Sequence, residues 1–135
     1  MKIVINACHG GFSLSIAAQL EFAKRKGFSL FFYDGPYNGP YKRIEEPEGS
    51  MFVYSLNVNL GPEAQGLPHG DDTWFSSRDI ERSDPDLVAV VEAMKAEANG
   101  DYAELKVVEV PDGVDYEIEE YDGLEWVAEK HRIWR

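Results

Sequence analysis

The sequence predicts a mixed α/β domain built on a small mixed sheet, and three observations carry that expectation. A β-branched run, Lys2-Ile-Val-Ile-Asn6, gives way to a glycine pair and then to apolar residues at helical spacing. A second helical stripe follows the middle of the chain, with Asp84 and Pro85 at its start. The last third alternates apolar with acidic residues around Asp122-Gly123, a strong hairpin dipeptide. At 135 residues the chain has the length of one domain, 1–135, large enough to bury a core without disulfides or metal.

The first run is too short for a helical period and reads as a buried strand ended by Gly10-Gly11. Ser13 is the expected N-cap of a helix whose core face holds Ile16, Leu20 and Ala23, with Gln19 and Lys24 on the other side. Gly27 is the expected C′ residue after the basic turn Lys24-Arg25-Lys26. Residues 28–33 (FSLFFY) make the next strand. Strand, helix and strand with short connections predict a βαβ unit with a right-handed parallel crossover.

Residues 34–40 are turn chemistry, 41–44 an edge strand and 50–56 a further strand reaching toward Leu60. Residues 61–72 form a long loop carrying His69, Asp71 and Asp72, whose spacing is not that of metal ligands. Residues 74–80 read as a short strand. Asp84 or Ser83 caps the second helix, Pro85 sits at its first position, and Leu87, Val90, Val91, Met94 and Ala98 form its core stripe. Residues 102–110 alternate as a strand. Residues 115–121 and 124 onward form a hairpin about Asp122-Gly123, with Tyr121 opposite Leu124 and Ile118 opposite Val127. The competing reading makes 124–131 a terminal helix, because Leu124, Val127, Ala128 and His131 share a helical face.

Composition narrows the function. With 13 basic and 25 acidic side chains the formal net charge is −12, a surface that repels bulk nucleic acid. A single cysteine excludes a disulfide framework and a Cys-rich zinc site. No run approaches the roughly 20 apolar residues of a membrane span, and no signal peptide is recognisable. The expected compartment is the cytoplasm. The acidic stretch, including Asp112, Asp115, Glu117, Glu119, Glu120, Asp122, Glu125 and Glu129, reads as a solvated face, with docking to a basic partner, or a divalent cation bridging Glu117 and Glu119, as the functional alternatives.

The candidate site is the glycine turn. A helix N-terminus offers unpaired N–H groups and the positive end of the dipole, which suit phosphate. Gly10 and Gly11 would let a ligand approach the backbone, with hydroxyls from Ser13 and Ser15 and a donor from His9. Asn6, Cys8 and Phe12 complete the loop, and Arg78 and Arg82 are the candidates to reinforce it by bidentate pairing. The turn lacks both the dinucleotide fingerprint and the terminal Lys-Ser/Thr of a P-loop. A nucleophile-and-base pairing of Cys8 with His9 is disfavoured, since neighbours on an extended chain point apart. Tyr37, Tyr41 and Trp74 are polar-loop aromatics able to stack on a base. No catalytic residue, metal or cofactor is assigned.

Three stretches carry a resemblance: Cys8-His-Gly-Gly-Phe-Ser-Leu-Ser15, the run Arg82-Ser-Asp-Pro85, and residues 120–134 (EYDGLEWVAEKHRIW). They resemble a set of short, uncharacterised proteins of bacteriophages and prophage-bearing bacteria. The resemblance covers both ends and the second helix but not residues 35–73. It departs at His9, where an aromatic residue is usual, and at Trp126, where histidine is common. What it implies is a phage accessory protein in the host bacterial cytoplasm. By analogy such a protein sequesters a small phosphorylated or nucleotide-like molecule, a host immune signal in an anti-defence role. A homo-oligomer, or an acidic module acting on a host protein, is the alternative partnership. A Cys8-dependent enzyme is the third.

Overall fold

The computed structural model describes residues 1–36, 38–45, 47, 53–68 and 73–130. In chain order the elements are β1 (Lys2–Asn6), α1 (Ile16–Lys26), β2 (Phe31–Asp34), β3 (Tyr41–Ile44), β4 (Tyr54–Leu56), β5 (Glu63–Ala64), α2 (Pro85–Met94), β6 (Leu105–Glu109), β7 (Tyr116–Tyr121) and β8 (Leu124–Glu129). Single 3-10 turns occupy Ser77–Asp79 and Lys95–Ala98. The mixed α/β class is as the sequence predicts. The strands form three small sheets: β1-β6, β4-β2-β3-β5 and β7-β8.

The β1-β6 ribbon is the middle layer, because alternation gives it two apolar faces. Val4, with Leu105 and Val107, packs against the helices beside Phe22, Leu87 and Val91. Ile3, Ile5 and Val108 pack against the β7-β8 hairpin beside Tyr116, Ile118 and Val127. Ile3 and Val4 have no exposed surface, and each contributes about 1.5–3 kcal/mol by leaving water.

The parallel crossover is not formed. The order β1, α1, β2 is as expected, but β2 pairs with β3 and β4 in another sheet, and every strand pair among the described residues is antiparallel. Both edges of β1 are already taken. One edge runs along β6, in the register Val4 opposite Val107. On the other edge Val4 N–H donates to the Arg82 carbonyl at 2.9 Å, and Asn6 N–H donates to Glu125 Oε1 at 2.8 Å. These contacts occupy the middle and end of the edge that β2 would need.

Helix α1 begins later than the sequence predicts. Its N-cap is Ser15, whose Oγ accepts from Ala18 N–H at 3.1 Å. Gly27 closes it at φ 83°, as expected. Its inner face is centred on Ala18, Phe22 and Ala23, and Leu20 falls on the edge, 44% exposed. Gln19 takes the inner position instead, donating to the Leu14 carbonyl and accepting from Ser55 Oγ in β4's neighbourhood. In α2 Asp84 caps, Pro85 opens, and Leu87, Val90 and Val91 are buried as predicted, but the helix ends at Met94 and the buried Ala98 belongs to the 3-10 turn that follows. Lys26 at the end of α1 pairs with Asp84 at 2.7 Å and Asp86 at 3.1 Å, fastening the two helices end to start.

Strand β3 is interior rather than an edge, because the chain returns after Gly61 and lays β5 along it; Arg43 N–H donates to the Pro62 carbonyl. Tyr33, fully buried, anchors this sheet by donating to the Gly61 carbonyl and accepting from Leu60 N–H, both at 2.8 Å. The strand expected over 74–80 is reduced to one bridge between Leu56 and Trp74, followed by the 3-10 turn. Ser76 supplies the reason: its hydroxyl accepts from Arg78 N–H and turns the chain. The C-terminal hairpin forms with the predicted register, Ile118 opposite Val127 and Tyr121 opposite Leu124, so the helical alternative is overturned over Leu124–Glu129. Tyr37, His69, Asp71, Asp72 and the tail His131, Arg132 and Trp134 lie outside the described residues.

Candidate functional site

Asn6 organises the region. Its side chain has no exposed surface and uses its full amide. Nδ2 donates to the carbonyls of Cys8 (2.7 Å) and Gly123 (2.8 Å), while Oδ1 accepts from Glu104 N–H (2.8 Å). One residue thus fastens the loop after β1, the start of β6 and the β7-β8 turn. Cys8 joins it, with its thiol directed at the Tyr102 carbonyl (3.0 Å) and at Asn6 Oδ1 (3.5 Å). His9 is exposed and makes an edge contact with the Tyr121 ring, 6.4 Å between centroids. Cys8 and His9 are not joined by any hydrogen bond among the described residues.

The glycines let three backbones close on one another. A β-carbon at Gly10 would overlap the Tyr102 carbonyl oxygen. At Gly123, with φ +88°, it would come within 2.6 Å of His9 O and 2.7 Å of Gly11 N. Gly10 therefore admits neighbouring backbone rather than a ligand. Gly11, at φ +92°, is the open one, with Arg78 Nη2 3.9 Å from where its side chain would begin.

Behind the loop stands an ion pair. Arg82 donates to both oxygens of Glu125, at 2.6 and 3.0 Å, and its guanidinium lies flat on Phe12, 3.6 Å from the ring centroid. The side chains are only 16% and 8% exposed. Such a pair is maintained by geometry, since its attraction must offset the cost of removing two charges from water.

These parts enclose a cleft of about 450 Å³. The 9–12 loop, Glu120, Asp122 and Gly123 of the hairpin, and Arg78, Arg82 and Glu125 line it. Of the residues singled out from sequence, His9, Gly10, Gly11, Phe12, Arg78 and Arg82 line it together. Asn6, buried, and Cys8, half-buried, do not line it. Ser13 and Ser15 turn away: Ser13 Oγ points to the Asp101 carbonyl at 3.4 Å, and Ser15 Oγ donates to the Glu97 carbonyl at 2.6 Å. The α1 N-terminus is consequently covered by the Lys95–Ala98 turn and offers the cleft nothing.

The charges divide into used and unused. Arg82 and Glu125 neutralise each other. Arg78, Glu120 and Asp122 form no ion pair among the described residues, and all three are exposed. Glu120, Asp122 and Glu125 were grouped in sequence with the solvated acidic face. Their inward share could be found from the hairpin register, because Glu120 lies opposite Glu125 and two residues along from the apolar pair Ile118 and Val127. Glu119, on the outer face, accepts from Trp126 Nε1 at 2.8 Å. No cluster of three or more metal-ligating side chains occurs among the described residues. No described helix is long and apolar enough to cross a membrane. Comparison with protein-family models, with curated proteins and with solved structures finds no match to this chain.

Proposed function

We propose that this chain is a non-enzymatic binding protein that holds a small phosphate-bearing, nucleotide-like molecule in the cleft between the 9–12 loop and the β7-β8 turn. Arg78 carries the reading. It is a cleft-lining guanidinium with no ion-pair partner among the described residues, and its Nη2 stands beside the open backbone of Gly11. A guanidinium fork matches phosphate oxygens in pairs, and a flanking glycine backbone allows close approach. Arg82 is committed to Glu125 and serves as the wall behind Phe12. The volume falls within the usual range of small-molecule sites. The likeness of both ends to short phage proteins supports a setting in which the ligand, a host nucleotide signal, is withheld from its receptor in the bacterial cytoplasm.

Thermal-shift and calorimetric titration with inorganic phosphate, adenosine monophosphate and cyclic nucleotides tests this. A ligand at a hundred times its Kd stabilises the fold by about 2.7 kcal/mol. Arg78→Ala is expected to abolish that gain and leave the unliganded melting temperature unchanged. Binding by none of the probes, or binding retained in Arg78→Ala, would sink the reading.

A further inference from the structure

The cleft that accepts an anion at Arg78 also faces that anion with two carboxylates. Glu120 and Asp122 of the hairpin line the same cleft as Arg78, and none of the three forms an ion pair among the described residues. A cleft of 450 Å³ is about 8 Å across by its cube root, comparable to the Debye length at physiological salt. Charges across it are therefore felt rather than screened. Counting only unused groups, with His9 neutral, the cleft holds one positive and two negative charges. A bare phosphate would gain from Arg78 and lose to Glu120 and Asp122.

Resting on the phosphate reading above, we infer that the ligand is bipolar: a phosphate ester that carries an amino group. The phosphate meets Arg78 and the Gly11 backbone, and the amino group donates to Glu120 and Asp122. The carboxylates then act twice. They supply acceptors for N–H donors, and they repel simple anions that would otherwise occupy Arg78. The chain as a whole, at −12, reinforces the rejection of plain polyanions. The turn is well suited to such reading. Asp122 is held at φ 49° in a two-residue hairpin loop whose Gly123 is pressed against His9 and Gly11. The hairpin turn is thus fixed against the 9–12 loop.

Matched probes decide the question. Ethanolamine phosphate is compared with ethyl phosphate, and adenosine monophosphate with inosine monophosphate, which lacks the exocyclic amine. The amino-bearing member of at least one pair is expected to bind tenfold or more tightly, the pair that responds showing whether an ammonium or a base amine is read. In the exposed double variant Glu120→Gln, Asp122→Asn that ratio should fall to about one, while ethyl phosphate binds more tightly than to the wild type. Arg78→Ala should weaken every probe alike. Equal binding within both pairs on the wild type, or a ratio unchanged in the double variant, overturns the bipolar ligand and leaves phosphate binding standing. Failure of all four phosphates to bind overturns both.

Discussion

Glu125 serves Arg82 and Asn6 with one carboxylate. Oε1 accepts from Arg82 Nη1 at 2.6 Å and from the Asn6 backbone N–H at 2.8 Å. The second contact closes the free edge of β1, and the first holds the guanidinium on Phe12. Removing the carboxylate therefore leaves a guanidinium without its counter-ion and a buried amide without its acceptor. Glu125→Ala should cost about 3–5 kcal/mol in urea unfolding, the usual cost of breaking a buried pair from one side. Adding Arg82→Met should recover part of that loss, whereas independent contributions would simply add.

The junction of Lys26 with Asp84 makes stability depend on pH at both extremes. Burial alone would raise the Asp84 pKa, but the Lys26 hydrogen bond and the N–H groups of Asp86 and Leu87 outweigh it and hold the carboxyl below 3.8. A depressed acid stabilises above its unfolded pKa and loses that contribution as pH falls through its folded value. The hydrogen bond to Asp84 raises Lys26 above 10.5, so its share is complete below 10.5 and is lost as pH rises through the folded value. The difference in unfolding free energy between wild type and Asp84→Asn should be flat from pH 5 to 9 and shrink below pH 3.8. A difference that grows on acidification would contradict this account.

Gly10 and Gly123 should tolerate no side chain. Gly10→Ala forces a β-carbon into the Tyr102 carbonyl, and Gly123→Ala adds a left-handed conformation to a 2.6 Å approach on His9. Each should lower stability by about 1–3 kcal/mol or more, the scale of local backbone strain. Gly66→Ala, in open space, is the control and should be nearly neutral in the same melts.

The two serines separate by role. Ser15→Ala removes the α1 cap and should cost about 1 kcal/mol of stability. Ser13→Ala loses one long contact of 3.4 Å and should stay within about 0.5 kcal/mol. Neither should change ligand affinity, measured by the same calorimetric titration, since both hydroxyls face away from the cleft.

What was legible in the sequence is what neighbours decide. The Asp84-Pro85 opening of α2, the Gly27 close of α1 and the Asp122-Gly123 register follow from local chemistry. The pairing of β1 with β6 does not, because Val4 and Val107 are alike to many other β-branched residues and meet only through tertiary packing. The N-cap moved from Ser13 to Ser15 for the same reason: Ser15 N–H and Oγ find the carbonyls of Ala98 and Glu97, far along the chain. At the site, Arg78 and Arg82 could be named from their chemistry, and folding brings them beside the 9–12 loop. Glu125 could be named only in part: the hairpin register puts it on the face of Val127, but its partner Arg82 comes from another part of the chain.

The edge bonding of β1 has a further consequence for how the chain comes to exist. Its strand partner begins at Leu105, and the residues that satisfy Asn6 include Gly123 and Glu125. On the ribosome, Ile3-Val-Ile5 is made long before the strand that pairs with it and the hairpin that covers its second face. This apolar stretch must wait, without its strand partner, for about a hundred further residues to be synthesised, which exposes it to chaperones and to premature association. Closure of the fold is thus a late event, reserved for the moment the hairpin arrives.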